Sequence, residues 1–114
     1  MQLYLLKPDF NDFNLKPQER LYFCPGCAVV QGMLGYYPQL RDKLEVIELD
    51  FQRPRPVLVE LLGEENQSCP VLITDQAAPG FDAVQAANGN WFINKPEAIL
   101  KYLAMQFKVG FPHP

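Results

Sequence analysis

Cys24-Pro25-Gly26-Cys27 is the part of this chain whose residue types and spacing suit covalent chemistry. Only a thiolate attacks a disulfide, and the free N–H groups and positive dipole end of a helix start favour a cysteine anion placed there. Cys24 is therefore the expected nucleophile, and Cys27, turned inward by one helical step, the resolving thiol. Cys24 would form a mixed disulfide with substrate, Cys27 would displace the product, and an external thiol reductant would reset the pair. Pro25 and Gly26 would adjust the backbone and N–H groups beside the sulfur. They leave the direction, reductase or oxidase, open.

Taken alone, two cysteines at this spacing are equally half of a zinc site. No second such pair exists, and the one histidine, His113, lies in the tail. A third thiol, Cys69, directly precedes Pro70 at the head of the apolar run Val71-Leu72-Ile73. It reads either as a small buried side chain or as a further thiol facing the dithiol. In the second case Cys24, Cys27 and Cys69 could capture a soft metal or an iron-sulfur cluster, or Cys69 could exchange disulfides with Cys24. Pro70 brings a missing N–H and a restricted preceding residue, compatible with a cis bond or with an ordinary trans proline opening a strand.

Around these residues the pattern alternates strand and helix. Leu3 to Leu6 is a continuous apolar run, so residues 1–7 are expected as a strand buried on both faces. Residues 8–23, rich in Asn, Asp and Lys, have no sustained period and are expected as an inserted loop. Residues 24–35 carry the dithiol and a helix with Pro25 in its first turn, Val30, Met33 and Leu34 inward, and Gly35 as a stop. Leu44 to Leu49 suggests a strand. A short helix after Arg53-Pro54-Arg55-Pro56 would bury Val57, Leu58, Leu61 and Leu62 and stop at Gly63. Val71 to Thr74 and Trp91 to Ile93 complete the strands, with a loop over Gln76 to Asn88. A last helix, capped by Asn94 with Glu97 three residues on, carries Ile99, Tyr102, Leu103 and Phe107 on one face before an irregular tail at 109–114. The expected order is α/β, βαβ-α-ββα, a mixed four-stranded sheet flanked by helices in one domain over 1–114.

Composition narrows the function classes. The chain has 114 residues, 48% of them hydrophobic, enough for one core. A net charge of -3 with scattered Lys and Arg gives no footprint for nucleic acid. No run is long enough to span a membrane, and the opening residues lack the pattern of a secretory leader. Three cysteines rule out a complete set of paired structural disulfides, which favours functional thiols in a reducing cytoplasm.

With Cys24-Pro25-Gly26-Cys27 and Cys69-Pro70-Val71-Leu72 together, the chain resembles the thioredoxin-like superfamily. The resemblance implies a cis Pro70 opposite the dithiol, with the backbone before it pairing with substrate. Pro25, Gly26, Cys69 and Pro70 would thus line the substrate site. Lys95-Pro96-Glu97-Ala98-Ile99-Leu100-Lys101-Tyr102-Leu103 resembles the terminal helix of glutaredoxins and of glutathione-transferase N-terminal domains. In those proteins a Ser or Asp near the start of that helix holds glutathione; here the position falls on Pro96, which offers neither acceptor side chain nor N–H donor. Glutathione is left as a partner without its usual anchor. Phe23 to Cys27, Arg53-Pro54-Arg55, Gly63 to Gln67 and Phe111 to Pro114 look most like an uncharacterised bacterial family classed as thioredoxin-like. The expected activity is thiol-disulfide oxidoreduction on a protein or small-molecule disulfide, with no cofactor. The alternatives are a non-catalytic binding or redox-sensing module and a metal carrier. Loop residues Lys16 or Arg20 would offer charge if the loop over 8–23 lies over Cys24.

Overall fold

In a computed structural model, which describes residues 1–15 and 20–114, the chain forms a mixed sheet with helices on both faces. The elements run β1 (Gln2–Leu6), α1 (Pro25–Tyr36), a 3-10 turn (Pro38–Asp42), β2 (Glu45–Leu49) and α2 (Pro56–Leu62). β3 (Val71–Thr74), β4 (Val84–Gln85), β5 (Trp91–Ile93) and α3 (Pro96–Phe107) follow. The strand order is β2-β1-β3-β5-β4. β1 and β2 are parallel, with Tyr4 opposite Ile47, and the other neighbours are antiparallel.

Among the described residues the sheet has five strands where four were expected. The added strand, β4, lies inside the stretch expected to be loop. Asn88-Gly89 turns the chain there: Gly89 adopts φ 98, and its N–H reaches Ala86 O at 2.9 Å. That reversal lays Val84 and Gln85 against Phe92 and Trp91. Both β4 residues are exposed, so no hydrophobic alternation marks them in the sequence.

Side-chain alternation along the strands builds a core on each face of the sheet. Leu3 and Leu5 of β1, Leu72 of β3 and Ile93 of β5 pack with Val30 and Leu34 of α1 and Ile99 and Leu103 of α3. On the other face Tyr4, Val71, Ile73 and Phe92 meet Leu58 and Leu62 of α2. Fully burying one such side chain contributes about 1.5–3 kcal/mol, so these two layers hold the platform on which the dithiol sits.

Each helix begins with proline at its first position, where the missing N–H costs nothing and the fixed φ suits the turn. This corrects one boundary: Pro96 takes the first position of α3, which places the cap on Lys95 rather than Asn94. α1 passes Gly35 by one residue, and Tyr37 N–H closes on Met33 O at 2.9 Å. β1 is slightly shorter than residues 1–7. Gly63, at φ 98, ends α2. Beyond Lys108 the tail has no regular structure. Among the described residues no helix is long and apolar enough to cross a membrane.

Candidate functional site

Cys24 is the N-cap of α1. Its Sγ accepts the Cys27 backbone N–H at 3.2 Å, the place usually filled by a Ser, Thr or Asp oxygen. The same thiol donates to the Cys69 carbonyl at 3.6 Å, so the sulfur bridges the helix start and the residue before β3. Cys24, Cys27 and Cys69 are all free thiols, and the Cys69–Pro70 bond is cis. The Arg53–Pro54 bond is cis as well, which nothing in the sequence had indicated.

Cys27 sits deeper than Cys24. It is 3% exposed, and its Sγ accepts the Leu6 N–H from the end of β1 at 3.4 Å. Burial pushes this thiol up from its usual 9.0 to about 12, reinforced by the Cys24 thiol and only partly offset by the Leu6 N–H. Cys69 is half-buried, and burial raises it to about 11 even though the positive charges of Arg55 and Arg53 act against that rise.

Gly26 is where the helix start passes closest to two prolines. A Cβ built there would lie 2.8 Å from Pro96 Cγ and 3.0 Å from Pro70 Cδ, so only glycine lets the three approach. Pro96, noted in the sequence for the anchor it cannot provide, is thus a wall of the packing beneath the dithiol.

Cys24, Pro25 and Cys69 line an open groove of about 320 Å³. Its other walls include four aromatic rings, Phe10, Tyr22 and Phe23 from the loop before α1 and Phe51 from the turn after β2, beside Arg53 and Arg55. An antiparallel bridge between Phe10 and Tyr22, with N–H···O distances of 3.0 and 2.8 Å, holds the loop beside the dithiol. Phe10 stacks on Phe51 at 4.2 Å between centroids, and the Arg55 guanidinium lies over the other ring at 5.7 Å. The loop read from sequence as an insertion therefore furnishes part of the groove. Arg20 is exposed, and Lys16 lies outside the described residues.

Arg55 is the residue that sequence reasoning missed. Only 5% exposed, it donates from Nε to Phe51 O at 3.1 Å, from Nη2 to the same carbonyl, and from Nη1 to Gln67 O at 2.6 Å. Its backbone N–H donates to Gln67 Oε1 at 2.7 Å. Arg55 and Gln67 sit in two of the segments that carried the family resemblance, Arg53-Pro54-Arg55 and Gly63 to Gln67. Nothing local marks Arg55 as buried, since it stands between Pro54 and Pro56 in a polar stretch with Gln52 and Arg53.

The three thiols do not form the metal-ligand set considered from sequence. Among the described residues no group of three His, Cys, Asp or Glu side chains could hold a metal ion. Cys27 is buried, with its sulfur accepting the Leu6 N–H, while Cys24 and Cys69 line the groove.

A family model described as "Protein of unknown function (DUF3088)" matches residues 1–113. No curated protein and no solved structure matches the chain.

Proposed function

This chain belongs to the DUF3088 family of proteins of unknown function, and from that premise we propose that it is a thioredoxin-like thiol-disulfide oxidoreductase working through Cys24 and Cys27. One observation carries the reading: Cys24 caps α1, its sulfur reaches the carbonyl before cis Pro70, and both open onto a solvent-accessible groove. The β2-β1-β3-β5 core of the sheet, with α1 and α3 on one face and α2 on the other, supports the thioredoxin-like assignment.

In this reading the Cys24 thiolate attacks a substrate sulfur, forming a Cys24–substrate disulfide and expelling the other substrate sulfur as a thiolate, which takes up a proton. Cys27 loses its proton and attacks Cys24 Sγ. The bond to substrate breaks, the second thiol leaves, and the Cys24–Cys27 disulfide remains. Two electrons have passed from the dithiol to the substrate, and an external thiol returns them. The Leu6 N–H on Cys27 Sγ supports the sulfur as it gains charge. Three free cysteines accord with a reducing cytoplasm as the setting.

The substrate is a protein or small-molecule disulfide able to enter an aromatic-walled groove. Turnover of insulin and of bis(2-hydroxyethyl) disulfide with a regenerating thiol tests the activity. Turnover that disappears in Cys24→Ser supports it. No reaction at Cys24 with either disulfide leaves the dithiol as a binding or structural feature.

A further inference from the structure

We propose that Cys69 is a second resolving thiol, which releases substrate from Cys24 by forming a Cys24–Cys69 disulfide in competition with Cys27. The proposal rests on the oxidoreductase reading and adds a branch to it.

Three observations carry it. Cys24 and Cys69 line one groove and Cys27 does not, so these two thiols share the accessible side of the helix start. Cys24 Sγ already touches the main chain of residue 69, at 3.6 Å from its carbonyl. Cys27, at 3% exposure, is held from behind by Leu6. The groove also carries Arg53 and Arg55, whose charges favour an anion at Cys69. Capture of Cys24 by a neutral disulfide removes its own negative charge, which opposes ionisation of Cys69.

The step balances without another oxidant, because the substrate disulfide is the oxidant. Cys69 gives up its proton and attacks Cys24 Sγ. The bond from Cys24 to the substrate sulfur breaks, the Cys24–Cys69 bond forms, and the departing thiolate takes the proton. In-line displacement requires the leaving sulfur to point away from Cys69, an orientation the open groove leaves free. Cys27 then attacks Cys24 and expels Cys69, or an external thiol reduces the new disulfide.

The test uses 5,5′-dithiobis(2-nitrobenzoate) at less than one equivalent of reduced protein, dilute enough to prevent exchange between chains. Each attack at Cys24 releases one coloured half, and each resolution releases the other. In Cys27→Ser the second half is expected in full, with a peptide map showing Cys24 joined to Cys69. In the Cys27→Ser, Cys69→Ser double variant the second half stays bound. Cys27→Ser retaining the second half as long as the double variant overturns the proposal while leaving the oxidoreductase reading intact. No first release at Cys24 overturns both. If Cys27→Ser does not fold, the unmodified chain answers instead: after acid quenching at short times, a Cys24–Cys69 peptide supports the branch, and its absence at every time overturns it.

Discussion

Arg55 and Gln67 each use a side chain to hold the other's main chain: Gln67 Oε1 accepts the Arg55 N–H at 2.7 Å, and Arg55 Nη1 reaches Gln67 O at 2.6 Å. Gln67 Nε2 donates in turn to Glu64 O at 2.8 Å, and the rest of the guanidinium takes the Phe51 carbonyl. The clasp joins the turn that carries Phe51 and Arg53 to the segment that delivers Cys69 and Pro70. Two walls of the groove are therefore set by one buried pair.

Removing that clasp should cost stability and reshape the groove together. Arg55→Ala leaves the Phe51 and Gln67 carbonyls without their side-chain donors and should destabilise the chain by about 3 kcal/mol. Arg55→Lys should recover only part of this, because one ammonium cannot reproduce a planar fork. Urea denaturation midpoints measure both losses; a midpoint unchanged by Arg55→Ala would refute the structural role given to it.

A methyl at position 26 should be poorly tolerated. Gly26→Ala forces Pro96, Pro70 or the start of α1 to shift, at an expected cost of about 1–3 kcal/mol. Thermal denaturation gives the stability, and the rate of thiolate release from an aromatic disulfide reports whether Cys24 has moved. A slower reaction with a lowered Tm is expected.

Alkylation should follow a fixed order in the reduced native protein. Cys24 opens onto the groove, Cys69 is half-buried and pushed up to about 11, and Cys27 is buried and pushed up to about 12. Iodoacetamide near neutral pH, followed by peptide mass analysis, should find Cys24 modified first and Cys27 last. Cys27 labelled ahead of Cys24 would contradict the orientation of α1.

The raised Cys27 thiol also fixes the sign of an alkaline effect. The folded state holds this proton more tightly than the unfolded chain, so its contribution is fully present below the ordinary thiol value of 9.0 and is lost as pH rises through about 12. Cys69, Tyr4 and Tyr102 are raised too and act in the same sense. Stability should fall as pH climbs through this window, and less steeply in Cys27→Ala. Equal slopes in denaturation series on the two proteins would count against Cys27 as a contributor.

Local signals located much of the site and little of its support. Pro25 and the helical spacing of Val30, Met33 and Leu34 marked α1 because they act within one turn of the chain, and Val71 to Thr74 was readable because all four residues are buried. β4 was not, since its existence depends on the Asn88-Gly89 reversal and on backbone pairing rather than on its own side chains. The Phe10–Phe51 stack and the Arg55–Gln67 clasp join residues far apart in sequence. Neither Phe51 nor Arg55 carries any local mark of its partner. Pro96 stood out for what it could not bind, while its contact with Gly26 emerged only once α3 was folded over α1.

The close meeting of Gly26, Pro70 and Pro96 constrains how this chain could diverge. Of the two residues between Cys24 and Cys27, one is wedged between two rings contributed by distant parts of the chain. A descendant acquiring a side chain at position 26 would have to surrender a proline at 96 or 70 in the same lineage. Those three positions should therefore drift as a unit, leaving Pro25 the freer of the two residues between the cysteines.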